Sequence, residues 1–269
     1  MKSTTTLSII TPVYNAGPWL VECINSGVSQ GFKDWEWIFI DDHSTDNSVG
    51  LIQDFAKTDS RIKLYVNPSK GIISALQEAL DKSAGKYITR MDADDIMPEN
   101  RLQMMVDGIS ASEAKTVVTS QVKYFSNSQV SEGYLNYEQW LNKTNRDGLQ
   151  KENIYRECVI ASPNWIMRKS DLLEIGSFKD LEYPEDYDLV FKWYSKGFTF
   201  KYHDFLGLLW REHPKRTSRN SVNYNQEAFF KLKLKRFIEI ENSGQQIVLW
   251  GSGVKARLAA KQMNLLKQD

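Results

Sequence analysis

Asp92-Ala93-Asp94-Asp95 packs three carboxylates into four residues, and repulsion at that density calls for a compensating cation. Oxygen ligands suit Mg²⁺ or Mn²⁺, which keep coordination positions open for substrate phosphates. Taken alone, the same residues also fit a solvated acidic turn leading into a helix at Pro98. A second acidic group, Asp41-Asp42-His43-Ser44-Thr45-Asp46, ends an apolar run. Ser44 or Asp46 would serve there as a helix N-cap, which leaves two preceding carboxylates unexplained. A carboxylate at a strand tip can accept from a base N–H or a ribose hydroxyl; His43 reads as a turn residue. The third group is Tyr183-Pro184-Glu185-Asp186-Tyr187-Asp188, at the head of a helix. First-turn acids ordinarily just complement the helix dipole, and a general base aimed into a cleft is the sharper alternative.

These groups must be positioned by the elements around them. Thr6–Thr11, Glu36–Asp41, Ile62–Val66, Tyr87–Met91 and Thr116–Ser120 read as strands. Pro18–Ser29, Ser44–Thr58, Ile72–Lys82 and Pro98–Ile109 carry apolar residues at helical spacing, with Pro98 at a first helical position. The alternation predicts an α/β fold with a mainly parallel central sheet and helices on both faces. Loops at the carboxyl ends of such strands carry the ligand, which points to Thr11–Asn15, Asp41–Asp46 and Asp92–Asp95.

The second half is less regular. A polar stretch from Ser126 to Asn153 reads as a lid or acceptor-side region, followed by the Trp-bearing segment Cys158–Arg168. Ser170–Glu174 and Asp186–Lys196 look helical, Phe198–His203 looks like a strand, and Arg211–Arg219 is a basic loop. Asn225–Glu241 predicts a long helix with Lys231, Lys233, Lys235 and Arg236 on a cationic face. Such a face could rest on anionic lipid, although a solvated face is the plainer reading. Gln246–Trp250, Gly251-Ser252-Gly253 and the helical stretch after them have the order of a nucleotide-binding βα unit. Two readings stand for that unit: the start of a second domain near Gly244, or an edge strand and covering helix added to the main domain. The expected division is a catalytic domain over residues 1–221, a helix or linker over 222–243 and the βα unit over 244–269.

Composition narrows the class. With 34 basic and 34 acidic residues, the chain has no overall field favouring nucleic acid. Two isolated cysteines, Cys23 and Cys158, form no framework, and nothing at the N-terminus reads as a signal peptide, so a cytoplasmic setting is expected. Apolar runs are strand-sized, far short of the ~20 residues that span a bilayer, which leaves peripheral contact with a membrane's inner face as the closest expected association.

In order along the chain stand Ser8-Ile9-Ile10-Thr11-Pro12-Val13-Tyr14-Asn15, Asp41-Asp42-His43-Ser44-Thr45-Asp46, Gly85-Lys86-Tyr87-Ile88, Arg90-Met91-Asp92-Ala93-Asp94-Asp95 and Glu185-Asp186-Tyr187-Asp188-Leu189. Together they resemble the family-2 glycosyltransferases of the GT-A, Rossmann-like fold, the inverting class that builds bacterial capsule, O-antigen and other surface polysaccharides. The similarity runs from about residue 5 to residue 220. The resemblance implies a nucleotide-sugar donor, UDP-linked, and a saccharide or lipid-linked saccharide acceptor. Thr11, Pro12, Tyr14, Asn15, Asp41 and Asp42 would hold the nucleotide, together with Gly71. Asp92 would face ribose and metal, Asp94 would ligate Mn²⁺ or Mg²⁺, and Asp186 would be the general base with Glu185 supporting it.

Two departures stand out. Many relatives carry Ala-Arg-Asn where this chain has Ala75-Leu76-Gln77, so Lys70 or Arg90 would have to supply the missing donor contact. Trp210-Arg211-Glu212-His213 resembles the family's Tyr-Arg-x-His, in which Arg211 and His213 could clamp the diphosphate or complete the metal shell; a basic surface loop is the competing reading. Trp165 and Trp210 are candidate sugar-stacking platforms, although aromatic residues are more often core; Trp165 is favoured because Ser162-Pro163-Asn164 before it looks like a turn rather than a buried strand. A nucleotidyltransferase is the nearest enzymatic rival, but the early loop Thr11–Gly17 lacks its Gly-rich basic signature. A catalytically silent sugar-nucleotide module is the other alternative, and it would have no need of Asp186.

Overall fold

The computed structural model describes residues 5–266. In chain order the main elements are β1 (Leu7–Val13), α1 (Gly17–Val28), β2 (Trp35–Asp41), α2 (Ser48–Thr58), β3 (Ile62–Val66), α3 (Ile72–Lys82), β4 (Tyr87–Arg90) and α4 (Arg101–Ser110). There follow β5 (Thr116–Phe125), α5 (Glu132–Arg146), α6 (Gln150–Asn153), β6 (Trp165–Arg168), α7 (Lys169–Glu174), α8 (Glu185–Ser195), β7 (Thr199–Arg211) and α9 (Thr217–Asn220). A 3₁₀ turn (Val222–Tyr224), α10 (Gln226–Ile240) and α11 (Val254–Leu266) complete the described chain.

The strands form one sheet in the order β3-β2-β1-β4-β6-β5-β7. All neighbours are parallel except β6, which runs antiparallel to both β4 and β5. Strand side chains alternate between faces, and the core divides accordingly. Leu7, Ile9, Trp37 and Phe39 belong to one apolar layer, beneath α1, α2 and α4. Ile10, Ile38, Ile40 and Ile88 belong to the other, with residues of α3, α7 and α8. Burial on both faces is why β1 and β2 read as nearly continuous apolar runs.

Helix starts follow a less local logic. The N-terminus of α1 is capped from the next unit, Ala16 N donating to Ser48 Oγ at 2.9 Å and Gly17 N to Asp46 Oδ2 at 2.9 Å. Of the two expected N-caps, Ser44 instead accepts from Asn15 N at 3.0 Å, whereas Asp46 Oδ1 accepts from Ser48 N at 3.0 Å; α2 begins only at Ser48, and the side chain of the intervening Asn47 caps nothing. Pro98 is not at a first helical position: α4 starts at Arg101, after Asn100 in the left-handed region. Gln30 substitutes for a local cap, its Oε1 accepting from Leu102 N and its Nε2 donating to Pro98 O.

In the second half, the polar stretch expected as a lid contains α5, anchored on β5 by Asn142, which accepts from Val122 N and donates to Val122 O. The strand expected at Phe198–His203 runs on to Arg211, so the residues that open the presumed basic loop are sheet. The expected strand Gln246–Trp250 does not form; that segment lies outside the sheet, with Trp250 97% exposed. The sheet already ends at β3 and β7, and α11 packs on α10, burying Ala259 and Met263. Two of the four cations expected on the face of α10 are committed to acids of the fold, Lys235 paired to Glu182 and Arg236 to Asp188. No helix among the described residues is long and apolar enough to cross a membrane.

Candidate active site

A cleft of about 1470 Å³ opens over the carboxyl ends of the parallel strands. Its lining comes from the segments following β1, β2, β3 and β4, from the ends of β5 and β7, and from the head of α8. Two of the three acidic groups, those after β2 and β4, are drawn together because a parallel sheet puts its strands' exit loops on the same edge, and the third, Glu185-Asp186, is brought to them on the head of α8.

At the β1 and β2 end, Asn15 holds two loops together. It sits at φ 50°, and its Oδ1 accepts from Thr45 N at 2.8 Å. Asp42 accepts from Gly71 N at 2.9 Å and Asn67 Nδ2 at 2.7 Å, tying the β2 and β3 exits. Asp41 lies beneath, accepting from Ser44 N at 3.2 Å. Pro12 and Gly71 line the cleft, as does Tyr14, a residue 57% exposed. Thr11 does not: it is fully buried, and its hydroxyl accepts from Trp37 Nε1 at 2.8 Å. Its odd position in β1 turns it into the core layer of Ile9 and Val13. Lys70 is exposed and outside the lining, so of the two candidate cations only Arg90 reaches the cleft.

The Asp92–Asp95 turn is held from β7. Ile96 and Leu209 exchange backbone hydrogen bonds at 3.1 Å each, and Arg211 continues the clamp, its N donating to Asp95 Oδ1 at 2.7 Å and its Nε to the Asp94 carbonyl at 2.6 Å. The Arg211 guanidinium also pairs with Glu22 at 2.5 Å, and the side chain is 5% exposed. Arg211 therefore supports the acidic turn from behind and does not face the cleft as a phosphate clamp. Asp95, 1% exposed, has one carboxylate oxygen without a partner; burial, then Asp94 and Asp92, push its carboxyl well above the usual range.

Asp94 and His213 converge, His213 Nε2 lying 2.8 Å from Asp94 Oδ2. Trp19 stacks on the imidazole at 3.8 Å between centroids and fixes its plane. Asp92 is drawn elsewhere, its Oδ1 accepting from Arg90 Nε at 2.7 Å. Burial, with Asp94 adding to it, outweighs Arg90 and holds the Asp92 carboxyl above its ordinary value. Among the described residues no three His, Cys, Asp or Glu side chains are gathered as a metal site. Asp94 and His213 still fit a hard divalent ion of the kind that takes one or two protein ligands and completes its shell with substrate phosphates. Asp92, the third expected ligand, is occupied by Arg90.

Arg90 continues the chain of charges to α8, its Nη1 lying 3.1 Å from Glu185 Oε1. The other Glu185 oxygen accepts from the Tyr224 hydroxyl, and the side chain is 2% exposed. Asp186 differs. Like Glu185 it lines the cleft, but it pairs with no cation or hydroxyl among the described residues: its hydrogen bond within the protein is from Tyr187 N at 2.8 Å, and burial followed by the charge of Glu185 pushes its carboxyl up to about 7.

Of the two tryptophan candidates, Trp165 is excluded as a platform. It is 2% exposed in β6, the strand between β4 and β5, and packs edge-on against Trp193 at 5.4 Å. The turn expected before it is present, Asn164 N donating to Ala161 O at 2.9 Å, but it leads into a central strand. Trp210 does line the cleft, stacked on Tyr124 at 4.8 Å with the Arg216 guanidinium 5.2 Å from its ring. Sequence reasoning missed Trp19, Tyr134, Arg216 and Tyr224, all in the lining. The basic run Lys215-Arg216 was the one available signal; an isolated tyrosine or tryptophan carries none.

The profile described as Glycosyl transferase family 2 matches residues 8–176. Glycosyltransferase GlyG of Streptococcus pneumoniae serotype 4 is 32% identical over 119 residues, covering 44% of this chain and 40% of that protein. An Escherichia coli protein, UDP-Glc:alpha-D-GlcNAc-diphosphoundecaprenol beta-1,3-glucosyltransferase WfgD, is 39% identical over 101 residues, covering 37% and 39%. These matches span about 40% of the relatives' own lengths. Among solved structures, S. aureus TarS 1-349 in complex with UDP superposes with a TM-score of 0.64 at 17% identity, covering 98% of this chain and 72% of that one. That likeness is one of fold, the GT-A arrangement expected from the motifs. With the profile spanning most of the sheet and the acidic turn of Asp92–Asp95, the chain belongs to glycosyl transferase family 2.

Proposed function

We propose that this protein is an inverting glycosyltransferase that moves a sugar from a UDP-sugar to a saccharide acceptor in cell-surface polysaccharide synthesis. One observation carries the assignment of the base: Glu185 is spent on Arg90 and Tyr224, whereas Asp186 faces the cleft with its carboxyl pushed up to about 7. A base that titrates near working pH takes up a proton readily while still being largely ionised. Family membership favours sugar transfer over the nucleotidyltransferase alternative. The complexes of TarS with UDP and with UDP-GlcNAc support the donor class, and the acceptor named for WfgD supports a lipid-linked saccharide.

The nucleoside would lie against Pro12, Tyr14 and the Asp42–Gly71 junction, with the diphosphate toward Asp94 and His213. The acceptor hydroxyl oxygen forms a bond to the anomeric carbon as the bond from that carbon to the diphosphate oxygen breaks. Asp186 accepts the hydroxyl proton, and the diphosphate leaves with the bonding electron pair. A single displacement inverts the anomeric centre. Asp94 and His213 would hold Mn²⁺ or Mg²⁺, which when bound supplies positive charge to the departing diphosphate. Lys215 and Arg216, at the same end of the cleft, add fixed positive charge. Ligand sites usually span about 300–1,000 Å³, and the larger volume here leaves room for donor and acceptor together.

The test is a panel of UDP-sugars with Mn²⁺ and a saccharide acceptor, scored by UDP release and product linkage. Turnover is expected to fall on chelation and in Asp94→Ala. Transfer indifferent to both would overturn the metal assignment, and retention of anomeric configuration would overturn the single displacement.

A further inference from the structure

We propose that Tyr224 is a positioning residue for the general base, acting through Glu185 and Arg90; the proposal rests on the reading of Asp186 as that base. Tyr224 ends the 3₁₀ turn Val222–Tyr224, beyond the residues matched by the family profile and in the segment that the sequence presents as a linker. Its hydroxyl reaches back across 39 positions to donate to Glu185 Oε2. With Oε2 so engaged, Oε1 is left to Arg90 Nη1 at 3.1 Å, and Arg90 Nε is left to Asp92 at 2.7 Å. One row of contacts thus runs from the C-terminal segment through the head of α8 to the acidic turn.

The row bears on Asp186 through charge. Around it stand Glu185 and Tyr187 on its own helix, Arg90 and Asp92 at the β4 exit, Tyr137 of α5, Cys158 before β6, and Tyr224. Glu185 is the neighbouring charge that most raises the Asp186 carboxyl, and Arg90 opposes it. A hydroxyl donated to Glu185 compensates part of that carboxylate's charge. Without it, more of the Glu185 field falls on Asp186, which then holds its proton to higher pH. Replacing Glu185 by the neutral amide does the reverse.

The experiment follows the Asp186 carboxyl carbon by NMR through a pH titration of the full chain, its resonance assigned by loss in Asp186→Asn, in wild type, Tyr224→Phe and Glu185→Gln. The midpoint should rise in Tyr224→Phe and fall in Glu185→Gln. In turnover, Tyr224→Phe should shift the rising limb of kcat/KM to higher pH with both KM values unchanged. A one-unit rise from about 7 lowers the ionised fraction at pH 7 roughly fivefold, and that loss should be recovered near pH 9. An unmoved midpoint in Tyr224→Phe overturns the proposal, as does a raised acceptor KM with the pH limb in place, the mark of a substrate contact. Should Tyr224→Phe not fold, an unmoved midpoint in Glu185→Gln overturns it equally. Failure of the catalytic reading is separate, appearing as no wild-type transfer or full transfer by Asp186→Asn, whereas the titration needs no turnover.

Discussion

Asp186→Asn should trade activity for stability, because the residue is held in an environment that resists its charge. In the folded chain burial first, and the Glu185 charge second, raise its carboxyl from the ordinary 3.8 to about 7. A raised carboxylate favours the protonated native state, so folding stability is lost as pH rises through the window from about 4 to about 7. At 1.36 kcal/mol per unit, the whole shift corresponds to a ceiling of roughly 4 kcal/mol. Asparagine keeps the oxygen that accepts from Tyr187 N and removes the charge. The variant should therefore be more stable than wild type at pH 8, by up to that ceiling, with the advantage vanishing near pH 4. Loss of a general base should lower kcat roughly 10²- to 10⁴-fold. Wild-type kcat/KM should rise about tenfold between pH 6 and pH 8, the interval in which such a base ionises. Urea denaturation at the two pH values and steady-state UDP release read both halves. A variant within tenfold of wild-type turnover would rule out Asp186 as the base, and one no more stable at pH 8 than at pH 4 relative to wild type would rule out a raised carboxyl.

Two further substitutions separate support from contact. Arg211→Met removes the donor to the Asp94 carbonyl and the pair with Glu22; it should destabilise the ligand-free protein by about 1–3 kcal/mol and raise the donor KM. A residue that merely clamped phosphate would leave the ligand-free melting temperature unchanged. Trp165→Ala should cost about 3–5 kcal/mol, as expected for a large aromatic removed from a packed core. Any fraction that folds should keep its acceptor KM, whereas a sugar platform would show the opposite pattern.

The layers and the place of the strand-end acids are legible along the chain. Nearly continuous apolar runs at β1 and β2, with amphipathic stretches between the strands, require a sheet covered on both faces, and those signals lie within a few residues of one another. Once the strands are parallel, Asp42, Asp92 and Asp94 share an edge, since each follows its strand directly. Packing between remote segments settles what those local signals do not encode. Thr11 stands in a ligand-type motif, yet the strand's alternation turns its side chain to Trp37. Trp165 looked loop-borne because a turn precedes it, but the short β6 slips between β4 and β5 and buries it. Arg211 looked like part of a basic loop until the long β7 carried it behind the acidic turn. Helices α1 and α4 take their caps from Asp46, Ser48 and Gln30, residues of other elements. Tyr224 meets Glu185 from a distant segment. In each case the deciding partner is remote in sequence, and a hydrogen bond or packing contact between remote residues leaves no periodicity to read.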